Sequence, residues 1–214
     1  MRYKHRNLIP IFLIFFVTFE LLAYATTATR PTQPFFELFV LGSSGAATGY
    51  YPNATNSRFL AVGESLNWTL SVVNQMGSMQ LVDIRVKLGN ETINSPNDTE
   101  ATPSPAPLVA ELEHFMLANE TWMLPFSWYV ANYTLSDGRV MITKLSINNV
   151  TYAIQDSPIC QASSSVESCS FRLIFELWTW NTNTGNFQVG WWNGQRQIIA
   201  WLQIWFGLAP PSPK

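Results

Sequence analysis

Glu111, Glu113 and His114 come nearest to a catalytic group in this chain. Two carboxylates two residues apart on a strand face the same side and can act as acid and base. A neighbouring histidine can serve a serine nucleophile as general base. Solvated carboxylates are about ten times commoner than such a pair. We therefore predict no catalytic residue and no enzyme.

Other motifs for chemistry are missing from the sequence. The segment Gly42–Gly45 is one residue short of the G-x-S-x-G nucleophile elbow. No Gly-rich phosphate loop and no Asp-rich calcium loop is present. His114 is the only histidine beyond the N-terminal segment, so a zinc site would lack ligands. We expect no cofactor and no metal.

Two kinds of residue indicate covalent modification outside the cytoplasm: a pair of cysteines that can form a disulfide and asparagines that can carry glycans. Cys160 and Cys169 flank a Ser-rich segment, and we predict a disulfide between them. Closing this small loop would stabilise the fold by about 2–3 kcal/mol. The chain also holds seven Asn-x-Ser/Thr sequons, whose glycans must face solvent. The predicted glycosylation sites are Asn53, Asn67, Asn90, Asn97, Asn119, Asn132 and Asn149.

The N-terminus resembles an export signal. Three cations precede the apolar run Leu8–Phe19, and small residues at Ala23 and Ala25 suit a signal peptidase. We predict cleavage after Ala25. The alternative is a retained anchor, which would be the chain's only membrane attachment although the run is short for a span. The predicted location is extracytoplasmic, at the cell surface or secreted.

Charge argues against nucleic acid as a partner. Removing residues 1–25 leaves nine Lys and Arg against 13 Asp and Glu, a net charge of −4. A nucleic-acid binder would need a basic surface.

Alternation of apolar and polar residues with a period of two indicates that the chain is built from β-strands. Leu66, Trp68, Leu70 and Val72 alternate with polar residues, and Val82–Leu88 alternates likewise. We predict a hairpin between these two runs at Gly77–Ser78. The further predicted strands are Phe35–Leu41, Leu108–Leu117, Thr121–Ala131, Val140–Ile147, Val150–Ile154, Phe171–Trp180, Phe187–Trp192 and Gln197–Phe206. Many short strands separated by turns predict an all-β, antiparallel, immunoglobulin-like sandwich.

The strands are expected to form one domain. The predicted organisation is a signal peptide or anchor over 1–25, a linker over 26–34, the sandwich over 35–208 and a Pro-rich tail over 209–214. Within the sandwich, Asn94–Pro107 carries four prolines and is predicted to be a long exposed loop.

Six of the nine tryptophans follow residue 170. Core packing is the commoner role for such rings, and a platform for sugars or a partner is the alternative. In Gln197–Phe206, Ile199, Trp201 and Trp205 make the second face apolar, although one face of an antiparallel strand is usually wet. Because Asn94–Pro107 is polar and would cover this face poorly, we predict that these three residues bind an envelope protein or a second copy.

Several segments resemble an archaeal cell-surface family, the domain of unknown function number 1616, whose members are described as predicted membrane proteins. The resemblance covers most of residues 35–206. It is carried by Phe36–Gly42 with Tyr51–Pro52, by Val62–Glu64 and Ile84–Val86, by Glu120–Trp122, and by Phe171–Trp178. It implies an archaeal envelope and an immunoglobulin-like sandwich, and it transfers no catalytic residue.

Two functional classes remain open from the sequence. The first is a non-enzymatic glycoprotein with a structural or interaction role at the cell surface. The second is a carbohydrate-binding or carbohydrate-active module that uses the late tryptophans, with Glu111 and Glu113 as its acids.

Overall fold

A computed structural model describes residues 13–20, 33–52, 57–162, 166 and 169–209. Residues 13–20 form a helix with exposed side chains and belong to a separate N-terminal unit. Within the described ranges, no helix combines the length and hydrophobicity that a membrane crossing requires. The predicted cleavage point, most of the predicted linker and nearly all of the Pro-rich tail lie outside the described residues.

From Pro34 onward the described residues belong to one compact unit built from two sheets and a small hairpin. The first sheet contains β1 (Phe36–Leu41), β3 (Leu66–Asn74), β6 (Thr121–Ser136), β7 (Arg139–Ile147), β8 (Val150–Ala153) and β9 (Cys160–Gln161). The second contains β2 (Phe59–Leu60), β4 (Gln80–Asn90), β5 (Leu108–Met116), β10 (Ser170–Asn181), β11 (Asn186–Val189) and β14 (Trp201–Leu208). Strands β12 (Trp191–Trp192) and β13 (Gln197–Ile198) form the hairpin.

The strand order confirms the predicted all-β, antiparallel, immunoglobulin-like sandwich. The first sheet runs β1-β3-β6-β7-β8, and the second runs β2-β14-β10-β4-β5. Strand β4 leaves the first sheet after β3, β6 returns beside β3, and β10 crosses again to lie beside β4. This is the Greek-key alternation of an immunoglobulin domain, with β1-β3-β6 in the places of A-B-E and β14-β10-β4 in those of G-F-C.

The core lies between the two sheets and is rich in aromatic rings. Trp68 and Trp128 of the first sheet meet Phe175 and Phe206 of the second, with ring centroids 5.0–6.4 Å apart. Both indoles are buried because they stand on the inward positions of alternating strands. Of the late tryptophans, only Trp191 is buried, so the core depends chiefly on earlier ones.

The predicted hairpin between Leu66–Val72 and Val82–Leu88 is wrong. Both runs are strands, but β3 pairs with β1 and β6, whereas β4 pairs with β5 and β10. The chain passes from one sheet to the other at Gly77. The buried Asn74 side chain supports this crossing by donating to the backbone oxygens of Ser78 and Leu117. Alternation identified the buried face of each strand but carried no information about its neighbours.

Residues 91–107 form a strap that lies across the outer face of the second sheet. The strap joins β4 to β5, as the sequence predicts, but it is not simply an exposed loop. Ser104 and Ala106 are buried, and the Ser104 backbone contacts Glu176 of β10 and Lys87 of β4. The second sheet is therefore covered on its outer side by the chain itself.

Candidate functional site

A groove opens where the edge of β1 approaches β14. Strand β14 pairs with β10 along most of its length, but on its other side it pairs with β2 only at Gly207 and Leu208. The groove has a volume of about 490 Å³, within the range of small-ligand pockets. Its lining residues are Leu38, Asp98, Arg196, Ile198, Ile199, Ala200 and Trp201. We define this set as the seam groove.

Trp201 is held at the groove by the strap. Its indole Nε1–H donates to the Asp98 Oδ1 atom at 2.8 Å, and Asp98 belongs to the strap. The ring remains partly exposed. The groove thus offers an aromatic ring, a carboxylate and the Arg196 guanidinium within one concavity.

Trp205 lies outside this groove. The Arg172 guanidinium carbon stands 4.8 Å above its ring centroid, and Arg172 Nη1 donates to Ser95 Oγ at 2.8 Å. Arg172 also donates to the Gln203 side chain and to the Ile93 backbone oxygen. Burial lowers the pKa of the Arg172 guanidinium from its ordinary value. Trp205 is partly exposed at the margin of this contact.

An ion pair is buried beneath the strap. Lys87 Nζ lies 2.9 Å from Glu176 Oε2, and the two side chains are 9% and 0% exposed. Lys87 donates to the Ser104 backbone oxygen at 2.6 Å, while the Ser104 amide and the Trp178 indole both donate to Glu176. These contacts supply the partners that buried charges require.

A second charged group adjoins this pair on the same face. The Arg85 guanidinium stacks 3.7 Å from the Trp178 ring centroid and contacts both Asp83 and Glu111. Burial raises the pKa of the Asp83 carboxyl, and the hydrogen bond from Arg85 partly opposes that shift. Glu111 is thus an ion-pair partner of Arg85.

Among the described residues, His114 contacts an acid, Glu120, but makes no hydrogen bond to a serine. His114 Nε2 lies 3.0 Å from Glu120 Oε1, and the imidazole stacks on Trp122 at 4.7 Å. Alternation along β5 places Glu111 and Glu113 on the opposite face of the strand from His114. The hydrogen bond from His114 is the main cause that lowers the pKa of Glu120. Within the described ranges, no cluster of three or more His, Cys, Asp or Glu residues is arranged to hold a metal ion.

Five of the six sequon asparagines in the described part of the chain are exposed. Asn53 lies outside the described residues. Asn67 points to the outer face of the first sheet, as strand parity predicts, and Asn119 and Asn149 occupy turns with positive φ. The exposed set is Asn67, Asn97, Asn119, Asn132 and Asn149. Glycosylation of these five stays a prediction, and their side chains are accessible for it.

The predicted exposure of Asn90 is wrong. Asn90 is 3% exposed, and its Nδ2 donates to the Ile159 backbone oxygen at 2.9 Å. Its Oδ1 accepts from the Thr92 amide and hydroxyl and from the Ile93 amide. The turn that follows β4 folds around this side chain instead of presenting it to solvent. A glycan there would have to displace these contacts.

The predicted disulfide between Cys160 and Cys169 is confirmed, with the Cα atoms 5.7 Å apart. Cys160 lies on β9, which pairs with β7 of the first sheet, and Cys169 immediately precedes β10 of the second. The bond therefore joins the two sheets across the sandwich.

Two of the three predicted partner-binding residues, Ile199 and Trp201, line the seam groove, and Trp205 does not. All three are partly exposed, so partner binding stays a prediction. Sequence analysis missed Asp98 and Arg196 as groove residues. Asp98 is the middle residue of the Asn97 sequon and Arg196 stands just before β13, but neither position indicates a groove, because the fold alone brings the strap and the β12–β13 hairpin to one place.

Comparison with known proteins gives resemblance only at the level of solved structures. No family model and no curated protein matches the chain. The CARDB domain of a Pyrococcus furiosus protein, solved with di-metal ions, is 10% identical with a TM-score of 0.38; the match covers 85% of this chain and all of that domain. A Listeria innocua β-glucosidase in complex with gluconolactone is 13% identical with a TM-score of 0.32. That match covers 84% of this chain but only 17% of the glucosidase.

Proposed function

We propose that this chain is an extracytoplasmic glycoprotein module with a non-enzymatic structural or interaction role at the cell surface. The observation that carries the proposal is the exposure of five sequon asparagines on one sandwich. The disulfide between the two sheets supports it, because such bonds persist in oxidising compartments. An archaeal envelope is the setting that the family resemblance implies.

The interaction surface in this proposal includes Ile199, Trp201 and Trp205. Partly exposed tryptophans are frequent anchors of protein interfaces. The partner is an envelope protein or a second copy of the chain. The contacts of His114 with Glu120 and of Glu111 with Arg85 support a role without catalysis, since both groups have structural partners.

Production of the full chain in an N-glycosylating, secreting host tests this function. Intact-protein mass spectrometry is expected to show a mature N-terminus at Thr26 and several glycans that a glycosidase removes. A chain retained in the cytoplasm without glycans would refute the proposal. Sedimentation of the purified protein with and without Trp205→Ala then tests self-association, and equal sedimentation would exclude a second copy anchored by Trp205.

The seam groove favours a second candidate function, a carbohydrate-binding module. Trp201, Asp98 and Arg196 combine a ring with charged hydrogen-bonding groups, as a sugar site requires. Titration of the protein with soluble oligosaccharides, followed by calorimetry, tests this function. Heat that disappears in Trp201→Ala but persists in Trp192→Ala, an exposed ring outside the groove, would support it.

A further inference from the structure

Asn97 is a sequon asparagine on a hydrogen-bonded turn of the strap. Its Oδ1 accepts from the backbone amides of Thr99 and Glu100 at 2.9 and 3.2 Å. Its backbone also forms a two-way bridge with Thr102. These contacts fix the side-chain oxygen, whereas no described residue accepts from the Nδ2 atom that would carry a glycan. The glycan would therefore start from a fixed position.

The residue after Asn97 forms part of the seam groove. Neighbouring Cα atoms are about 3.8 Å apart, so a glycan on Asn97 starts beside Asp98. Asp98 in turn holds the Trp201 indole, which is partly exposed inside the groove. A chain of a few sugars spans the remaining distance easily. Among the five exposed sequons, Asn97 is the one adjacent in sequence to a groove residue.

The groove has the chemistry that a sugar chain requires. Sugar rings present C–H faces that pack on an aromatic ring and hydroxyls that bond to carboxylates and guanidinium groups. Trp201, Asp98 and Arg196 supply these groups. A covalent tether also raises the local concentration of the sugar to the millimolar range. A weak affinity is therefore sufficient to keep the groove occupied.

We propose that the glycan on Asn97 folds back into the seam groove and covers Trp201. The inference rests on the proposed function, since it needs a glycosylated chain, and goes further by naming what fills the groove when no partner is bound. In this arrangement the glycan competes with any partner or free sugar for Trp201. Occupancy of one sequon then controls access to the groove.

The test compares Trp201 oxidation in glycosylated proteins by hydroxyl-radical footprinting and mass spectrometry. Thr99→Ala abolishes the sequon but keeps the Asn97 side chain and its turn, so the strap is preserved. Thr134→Ala is the matched control, because it removes the exposed Asn132 sequon away from the groove. With millimolar affinity and millimolar effective concentration the ring is covered about half of the time, so Thr99→Ala should raise Trp201 oxidation by up to about twofold.

Four outcomes separate the further inference from the proposed function. A rise with Thr99→Ala, reproduced by glycosidase treatment of the wild type and absent in Thr134→Ala, supports the inference. Equal oxidation with Asn97 fully occupied overturns it and leaves the proposed function intact. An unoccupied Asn97 on a chain glycosylated elsewhere also overturns it alone, whereas a chain without any glycan overturns both.

Discussion

The outer faces of the two sheets differ in how they meet solvent. On the first sheet the outward positions carry Asn67 and Met123, which are exposed as in an ordinary antiparallel sandwich. On the second sheet the outward positions of β4 and β10 carry Lys87, Arg172 and Glu176, which are all buried. The first face is wet, and the second is closed by the strap.

The difference shows that charge on a strand does not by itself indicate exposure. The strap supplies backbone groups, such as those of Ser104 and Ile93, that bond to the charges beneath it. The charged groups of the second sheet thus act as attachment points for a polar, Pro-rich segment that has little apolar surface of its own.

The largest expected effect comes from Lys87→Met. The change leaves the Glu176 carboxylate buried without its cation, and we expect the free energy of unfolding to fall by about 3–5 kcal/mol. Urea denaturation with the disulfide intact measures this loss. Met123→Gln on the exposed face is the control, with an expected change within about 0.5 kcal/mol.

A companion double variant sharpens this result. Lys87→Met with Glu176→Leu removes both charges and should recover part of the loss, because no unpaired charge stays buried. The Ser104 backbone and the Trp178 indole still lose their partners, so the recovery is incomplete. If Lys87→Met costs no more than Met123→Gln, the strap does not seal the pair and the contrast between the two faces fails.

The next largest effect is expected from removing the bond that joins the two sheets. Replacing Cys160 and Cys169 together by alanine should lower the free energy of unfolding by about 2–3 kcal/mol through loop entropy. Thermal unfolding of the oxidised wild type and the double variant measures the difference. Reduction of the wild type should reproduce it, and no shift in either experiment would contradict the prediction.

A smaller effect separates two sequon asparagines. In protein made without glycans, Asn90→Ala leaves the Ile159 carbonyl and nearby amides unsatisfied and should cost about 1–3 kcal/mol. Asn67→Ala on the exposed face should stay within about 0.5 kcal/mol. Urea denaturation of both variants checks this, and glycopeptide mapping of the glycosylated wild type should find Asn67 modified and Asn90 bare. Equal costs would place Asn90 at the surface.

The smallest effects are in pH dependence, and they have opposite signs. Burial raises the folded pKa of Asp83, so its contribution to stability falls as pH rises from the unfolded value, about 3.9, through the folded one. The His114 contact lowers the folded pKa of Glu120, so its contribution is present above about pH 4.3 and is lost as pH falls. Relative to Asp83→Asn, the wild type should lose stability as pH rises above about 3.9, and relative to Glu120→Gln it should gain stability as pH rises toward about 4.3. Urea denaturation at a series of pH values measures both stability differences. If both differences changed in the same direction with pH, the assigned directions of the two pKa shifts would be contradicted.

Much of the fold follows from the sequence because strand parity is a local property. The alternation of Leu66–Val72 and Val82–Leu88 correctly identifies their buried faces. Asn193–Gly194, an Asn-Gly pair of the kind that favours tight hairpins, lies between β12 and β13 and is an equally local signal. The choice of strand partners is not a local property, and the predicted pairing of β3 with β4 is wrong for that reason. The two-residue strands β2 and β9 were missed because pairs so short have no periodicity.

The candidate site is less predictable because it depends on what covers each face. The apolar character of Ile199 and Trp201 predicts a surface that needs a cover, and both side chains are partly exposed. The polar composition of the strap suggested that it could not supply one, yet Asp98 and Ser95 reach β14 through hydrogen bonds. One sequence signal for this cover was available. Arg172 and Glu176 interrupt the apolar run Phe171–Trp178, and charges within such a run indicate buried partners elsewhere in the chain.

The bond between Cys160 and Cys169 also has a mechanical consequence when the chain is stretched from its ends. A pulling force passes from Cys160 to Cys169 through the sulfur atoms, so the ring of residues between them carries no load. Nine residue steps would extend about 30 Å if the bond were absent, against a Cα separation of 5.7 Å when it is present. An oxidised chain stretched from its ends therefore stops about 25 Å short of a reduced one. The maximum extension of the stretched chain therefore depends on whether the disulfide is oxidised or reduced.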